Sequence, residues 1–97
     1  MQTTIQTLEY NGWCNRETWL GNLWLTNDEA FYRLFLQAID DCKSDKEIAE
    51  YLEQELRDQL YDEVGSASLW QDLLGTAFDR INWLDIVISN DVLGGEL

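Results

Sequence analysis

The chain has 97 residues, and its 19 acidic and 6 basic side chains give a formal net charge of −13 without any histidine. This length suits one domain, and a hydrophobic fraction of 45% is enough for a small core, which excludes a disordered chain. The negative charge argues against direct binding to nucleic acid or to an anionic membrane, and the lack of imidazole removes the commonest metal ligand and neutral-pH base.

The first ten residues are polar and contain no basic side chain, so they do not resemble a secretory signal. We expect residues 1–12 to form an extended arm. No apolar run approaches the ~20 residues that a membrane-spanning helix needs. A cytoplasmic location in the host cell is therefore expected, where Cys14 and Cys42 would stay reduced as free thiols.

The pattern after the arm is helical. Asn15 is a suitable N-cap for a first helix from about Arg16 to Leu25, and Asp28 can begin a second helix that runs to about Lys43. The spacing of apolar residues predicts that one face of the first helix is buried. That face consists of Trp19, Leu20, Leu23 and Trp24. The second helix has an apolar face of Phe31, Leu34, Phe35, Ala38, Ile39 and Cys42.

A capping box begins the third helix, because Ser44 can serve as N-cap and Glu47 stands three residues later. This helix is predicted to end at Gly65, a residue type typical of the position after a helix. Its apolar face consists of Ile48, Leu52, Leu56, Leu60 and Val64.

Ser66 or Ser68 can cap a fourth helix, and Asn82 can cap a short fifth helix. The predicted buried stripe of the fourth helix is Leu69, Trp70, Leu73, Leu74, Ala77, Phe78 and Ile81. That of the fifth is Trp83, Leu84, Val87 and Ile88. The sequence thus predicts an all-α fold: one compact domain of four to five short helices over residues 15–93, preceded by the extended N-terminal arm.

Two segments resemble a known family. Residues 10–28 read YNGWCNRETWLGNLWLTND, and residues 72–86 read DLLGTAFDRINWLDI. Both are similar to small acidic proteins of phages and plasmids whose members carry an NGWxNxxTWxxNLWLxND signature. The resemblance implies a mobile-element origin and, by analogy, a role in blocking host defence, but it brings no established activity and no functional residues.

The chain departs from the usual pattern of that family at Cys14, Gly21, Gly75 and Arg80. A glycine inside a helix costs roughly 1 kcal/mol relative to alanine. Gly21 therefore predicts a place where the first helix closely approaches another helix.

One side of the third helix combines carboxylates with tyrosines within about 140° of arc. Its members are Glu47, Glu50, Tyr51, Glu55, Asp58, Tyr61 and Asp62. This acidic face is either a solvated surface or a recognition surface for a basic partner. Its five carboxylates follow one another at roughly 4.5 Å, against ~1.7 Å per charge in a DNA duplex. Mimicry of nucleic acid would need additional carboxylates from Asp40, Asp41 and Asp45, or a second copy of the chain.

The tryptophan-rich first motif has two interpretations. Trp13, Trp19 and Trp24 lie within twelve residues, either as core or as an aromatic binding platform. Trp13 and Arg16 are expected to be the exposed members, and they form a second candidate contact patch.

Catalysis is not expected. The chain has no glycine-rich phosphate loop and no nucleophile beside a base, and the adjacent Asp40 and Asp41 would point about 100° apart on a helix. No EF-hand spacing is present either. We therefore predict no catalytic residues, no cofactor and no metal site.

The sequence thus favours a binding protein. The expected role is that of an inhibitor of the anti-CRISPR or anti-restriction type. Its partner would be a host defence protein or nuclease complex with a basic, nucleic-acid-binding surface, and neither nucleic acid nor a membrane would be bound directly. The alternative is a homo-oligomeric accessory or scaffold module, and a homodimer remains open in both cases.

Overall fold

The computed structural model describes residues 12–65 and 68–91. It contains five α-helices: α1 (Arg16–Asn27), α2 (Glu29–Asp41), α3 (Asp45–Val64), α4 (Leu69–Asp79) and α5 (Trp83–Asn90). The predicted all-α fold is confirmed, and the described residues include no strand. Most of the expected arm lies outside the described residues, as do Ser66 and the C-terminal residues 92–97. No described helix has the length and apolarity needed to cross a membrane.

A side-chain cap begins every helix, because an oxygen of the capping residue accepts a hydrogen bond from a backbone N–H of the first turn. The caps are Asn15, Asp28, Ser44, Ser68 and Asn82. All five were suggested by the sequence, with Ser68 rather than Ser66 as the cap of α4. The first helix is two residues longer than predicted, so Asp28 both ends α1 and caps α2.

The capping box of α3 differs in one detail from the expected pattern. Ser44 Oγ accepts from the Glu47 amide at 3.1 Å, as predicted. The Glu47 carboxylate accepts from the amide of Lys43 at 2.8 Å, one residue before the cap. At the other end, Gly65 has a φ of +82°, a left-handed conformation that glycine adopts without strain, and it ends the helix.

The core forms around α3, which packs against α2, α4 and α5, while α1 packs against α2 and α5. Its buried hydrophobic residues are Leu25, Phe35, Ala38, Ile48, Ala49, Leu52, Trp83, Ile86 and Val87. These come from α1, α2, α3 and α5. The fourth helix contributes no buried residue, so it lies at the edge of the core.

The buried face of α1 is not the one that hydrophobicity predicts. Thr18 and Leu25 are the buried residues of α1, while Leu20, Leu23 and Trp24 are exposed. A similar shift occurs in α5, where Ile86 is buried in place of the exposed Leu84 and Ile88. The cause in α1 is steric, because a small residue is needed where this helix crosses its neighbours.

Gly21 is that small residue. A Cβ atom added at Gly21 would lie 3.3 Å from Ile81 Cγ2 and 3.4 Å from Ile86 Cδ1. The close approach predicted from this glycine is therefore confirmed, and it brings α1 against the α4–α5 turn and α5.

Thr18 fixes the same crossing through hydrogen bonds. Its buried hydroxyl accepts from the Asn82 amide at 3.0 Å and can donate to the Arg80 carbonyl at 3.4 Å. The Asn15 side chain donates to the same carbonyl at 2.9 Å. The two segments that carry the family resemblance thus meet, and polar residues of the first motif bond directly to the backbone of the second.

We expect Thr18→Val to lower the free energy of unfolding by about 1–3 kcal/mol, because the Asn82 amide would lose its acceptor while the side-chain shape stays similar. Urea unfolding followed by far-UV circular dichroism measures this change. The matched control is Thr18→Ser, which keeps the hydroxyl and should cost less. A loss in Thr18→Ser with none in Thr18→Val would mean that the methyl group, not the hydroxyl, stabilises the crossing.

Candidate protein-interaction surfaces

The predicted acidic face lies along α3, on the side away from the core residues Ile48 and Leu52. Six of its seven members are exposed, namely Glu47, Glu50, Glu55, Asp58, Tyr61 and Asp62. Tyr51 is half-buried and packs against the core, so its ring contributes only an edge to this surface. The structure therefore brings the seven residues together on one helix, with five carboxylates reaching solvent.

The charge of the acidic face is largely unneutralised. Within the described residues, its one ion pair joins Glu50 to Lys46 at 3.9 Å, and both side chains are highly exposed. Such a pair contributes little in water. Asp58 accepts a hydrogen bond from the neutral Gln54 at 3.1 Å. Other ion pairs lie elsewhere, such as Arg80 with Glu17 at 3.1 Å.

Asp41 extends the acidic face beyond α3. Burial, together with the carboxylates of Glu55 and Asp41, raises the pKa of the Tyr51 phenol above its usual range. Because Asp41 lies at the end of α2 and still acts on Tyr51, negative charge continues across the α2–α3 junction.

The second candidate patch is divided by the fold. Arg16 is exposed as expected, but Trp13 is half-buried and packs against the core. Trp19 is also half-buried, whereas Trp24 is 54% exposed and stacks edge-on against Phe31. The motif is thus neither wholly core nor a continuous platform. Trp24 is more exposed than Trp13 and Trp19.

The sequence did not predict an apolar groove that lies between α1 and α4, with α3 as its floor. We call it the apolar groove, and its lining includes Leu20, Gly21, Trp24, Leu56, Leu60, Leu74, Ala77, Phe78 and Ile81. Two adjoining cavities of about 390 Å³ and 260 Å³ share Gly21, Trp24, Phe78 and Ile81. The lining is almost entirely non-polar, so the groove suits an apolar occupant.

Exposed apolar side chains continue from the groove along α4, because Leu69, Trp70 and Leu73 lie within one turn of the groove-lining Leu74 or of one another. We call this set, together with the exposed groove residues, the apolar patch. Its members are Leu20, Trp24, Leu69, Trp70, Leu73 and Leu74. The prediction that the stripe of α4 is buried is wrong. No residue of this helix is fully buried, and four of the stripe are exposed, with Leu69 and Trp70 the most at 64% and 65%. The reason is that α4 packs chiefly against α3, so much of its wide stripe has no helix to cover it.

Arg57 holds α4 beside α3. Its guanidinium donates to Glu53 and to Asp79, each at 3.0 Å, and lies 4.8 Å from the centre of the Phe78 ring. The hydrogen bonds to both carboxylates raise the pKa of Arg57 further above its usual range, as expected for a guanidinium that bridges two anions. Arg57 therefore sets the position of the helix that forms one wall of the apolar groove.

We expect Arg57→Gln to lower the free energy of unfolding by about 1–2 kcal/mol, because two ion pairs and one cation–π contact are lost together. Hydrogen exchange should accelerate most in α4, which has no buried residue. Lys46→Gln removes one exposed ion pair and should change neither quantity. Unchanged exchange in α4 for Arg57→Gln would mean that the packing of Phe78 against the core is enough to hold this helix.

The described ranges contain no group of three cysteine, aspartate or glutamate side chains placed to hold a metal ion. The two cysteines there are free thiols. Burial and the neighbouring Glu47 and Asp41 carboxylates raise the pKa of Cys42, which keeps it a thiol at neutral pH.

The model of a family of unknown function (DUF7249) matches residues 6–93, a range that includes all five helices and both segments that carry the resemblance. No curated protein and no solved structure matches the chain.

Proposed function

The chain belongs to this family of unknown function, and we propose that it acts by binding another protein rather than by catalysis. The observation that carries the proposal is the unneutralised acidic face of α3. Five exposed carboxylates project from one rigid helix, and a single weak ion pair opposes them among the described residues. Such a surface attracts a basic partner and repels acidic ones.

The partner class follows from charge and shape. A protein surface that binds nucleic acid carries clustered lysine and arginine residues along a groove or channel. A helix of twenty residues is about 30 Å long, which is comparable to such a channel. We therefore propose that the acidic face occupies a basic, nucleic-acid-binding surface of a host protein and competes with its nucleic acid.

The biological setting is part of the same proposal. The tryptophan-rich signature of the first motif resembles proteins of phages and plasmids, and by analogy with small acidic proteins of such elements the target would be a host defence system. An inhibitor of a host defence complex, acting in the cytoplasm and at equal stoichiometry with its target, is consistent with this origin. The high negative charge supports electrostatic blockade as the mechanism.

The first experiment captures partners from a bacterial lysate on immobilised protein. We expect a nucleic-acid-binding protein that is retained at about 0.1 M salt and released at about 1 M, as the Debye length falls from ~10 Å to ~3 Å. Added duplex DNA should release the same protein at low salt, because both ligands would occupy one basic surface. Partners that survive both washes would contradict electrostatic blockade.

Charge reversal tests the surface itself. Glu50→Lys and Asp58→Lys should each weaken capture at least tenfold. Each variant replaces a carboxylate of the acidic face with a positive charge, which repels the basic partner. Far-UV circular dichroism should show unchanged helix content.

Glu63→Lys is the matched control. It makes the same change in charge at an exposed position of the same helix, but about 160° around the axis from Glu47. Capture should therefore survive in this variant. If all three variants weaken capture equally, the overall charge of the protein matters and the acidic face does not.

A further inference from the structure

The apolar patch is large for a protein of this size. Its six side chains are each at least 40% exposed, and together they present on the order of 600 Å² of apolar surface. The largest such patch on a typical monomer is roughly 300–600 Å². A standard protein–protein interface buries about 800 Å² on each partner. The apolar patch with a modest polar rim therefore reaches the area that a stable dimer needs.

This surface offers both a groove and a protruding side chain. The apolar groove runs between α1 and α4, and Trp70 is 65% exposed on α4, one helical turn before the groove-lining Leu74. A two-fold axis across this face would place Trp70 of each copy over the groove of the other. Ridge and groove on one face are what an isologous interface requires, since each copy supplies both halves of the contact.

The charge distribution permits this contact in spite of the net charge of −13. The groove residues Leu56 and Leu60 lie roughly 180–220° around α3 from Glu47, so the acidic face points away from the groove. With a helix diameter of about 10 Å or more between each acidic face and the contact, the two faces would stand at least ~20 Å apart. That distance exceeds the Debye length of about 8 Å at physiological salt.

We propose that the apolar groove and the apolar patch form the interface of a homodimer, in which the occupant of the groove is a second copy of this chain. The anchors are Trp24 and Trp70, with Leu73 and Leu74 between them. This dimer does not depend on what the acidic face binds, and the two surfaces can be tested separately.

The test is the mass of the full chain in solution, measured by sedimentation equilibrium in about 0.15 M salt. We expect a mass of twice 11.4 kDa at micromolar concentrations. The variants Trp70→Gln and Leu73→Gln remove apolar contact without adding charge, and each should raise the dissociation constant at least tenfold. Hydrogen exchange in α1 and α4 should slow as the concentration of the wild-type protein rises.

Leu36→Gln is the matched control, because Leu36 is 47% exposed on α2, outside the apolar patch. It should leave the dissociation constant within twofold of the wild-type value. A chain that stays monomeric to about 100 μM would overturn the proposal, and the groove would then be covered by another part of the chain or by a different molecule. A dimer that Trp70→Gln and Leu73→Gln leave intact would also overturn it. Neither result would bear on capture of a basic partner by the acidic face.

Discussion

The crossing of α1 over the α4–α5 turn determines the rest of the molecule. It needs small residues, so Thr18 and Gly21 face inward, and the Thr18 hydroxyl bonds to the backbone of Arg80 and Asn82. A helix that turns a threonine and a glycine toward its neighbours must turn its large apolar residues elsewhere. Leu20 and Trp24 therefore line the apolar groove, and the requirement of one tight contact creates the surface that is left open to a partner.

The position of α4 follows from the small size of the core. Nine buried hydrophobic residues fill the centre, and none belongs to α4. This helix is attached to α3 through Phe78 and the Arg57 bridge, and a groove separates it from α1. An apolar stripe that is wider than the contact available to it remains partly in solvent. In a monomer this exposure would cost free energy, and association with an apolar surface removes that cost.

Local signals in the sequence predicted the helices well, because capping depends on residues within one turn. Asn15, Asp28, Ser44 and Asn82 could all be identified from their neighbours alone, and so could the end of α3 at Gly65. The faces of α1 and α5 could not be predicted in the same way. Counting apolar residues assumes that the largest side chains point inward, whereas in α1 the limited space at Ile81 and Ile86 decided the orientation.

The acidic face and the apolar groove differ in how far the sequence could predict them. The acidic face is a property of one helix, so periodicity was enough to place its carboxylates together. The apolar groove depends on three helices and on the long-range contact between Arg57 and Asp79, which are 22 residues apart. Gly21 was the one available signal, since a costly glycine within a helix pointed to a close crossing. The apolar groove that lies beside this crossing could be found only from the packed structure.

The geometry of the proposed dimer also constrains how nucleic acid could be imitated. One acidic face has a carboxylate about every 4.5 Å, which is sparser than the ~3.4 Å spacing of phosphates along a single strand. A second copy could raise that density only if the two acidic faces lay side by side. Contact through the apolar groove places them on opposite outer sides, so the additional charge has to come from the same copy. Asp40 and Asp41 are exposed at the end of α2, and Asp41 already acts on Tyr51. A composite of α3 with the α2–α3 junction is therefore the surface that would meet a basic channel, and the dimer would present two such surfaces to two separate partners.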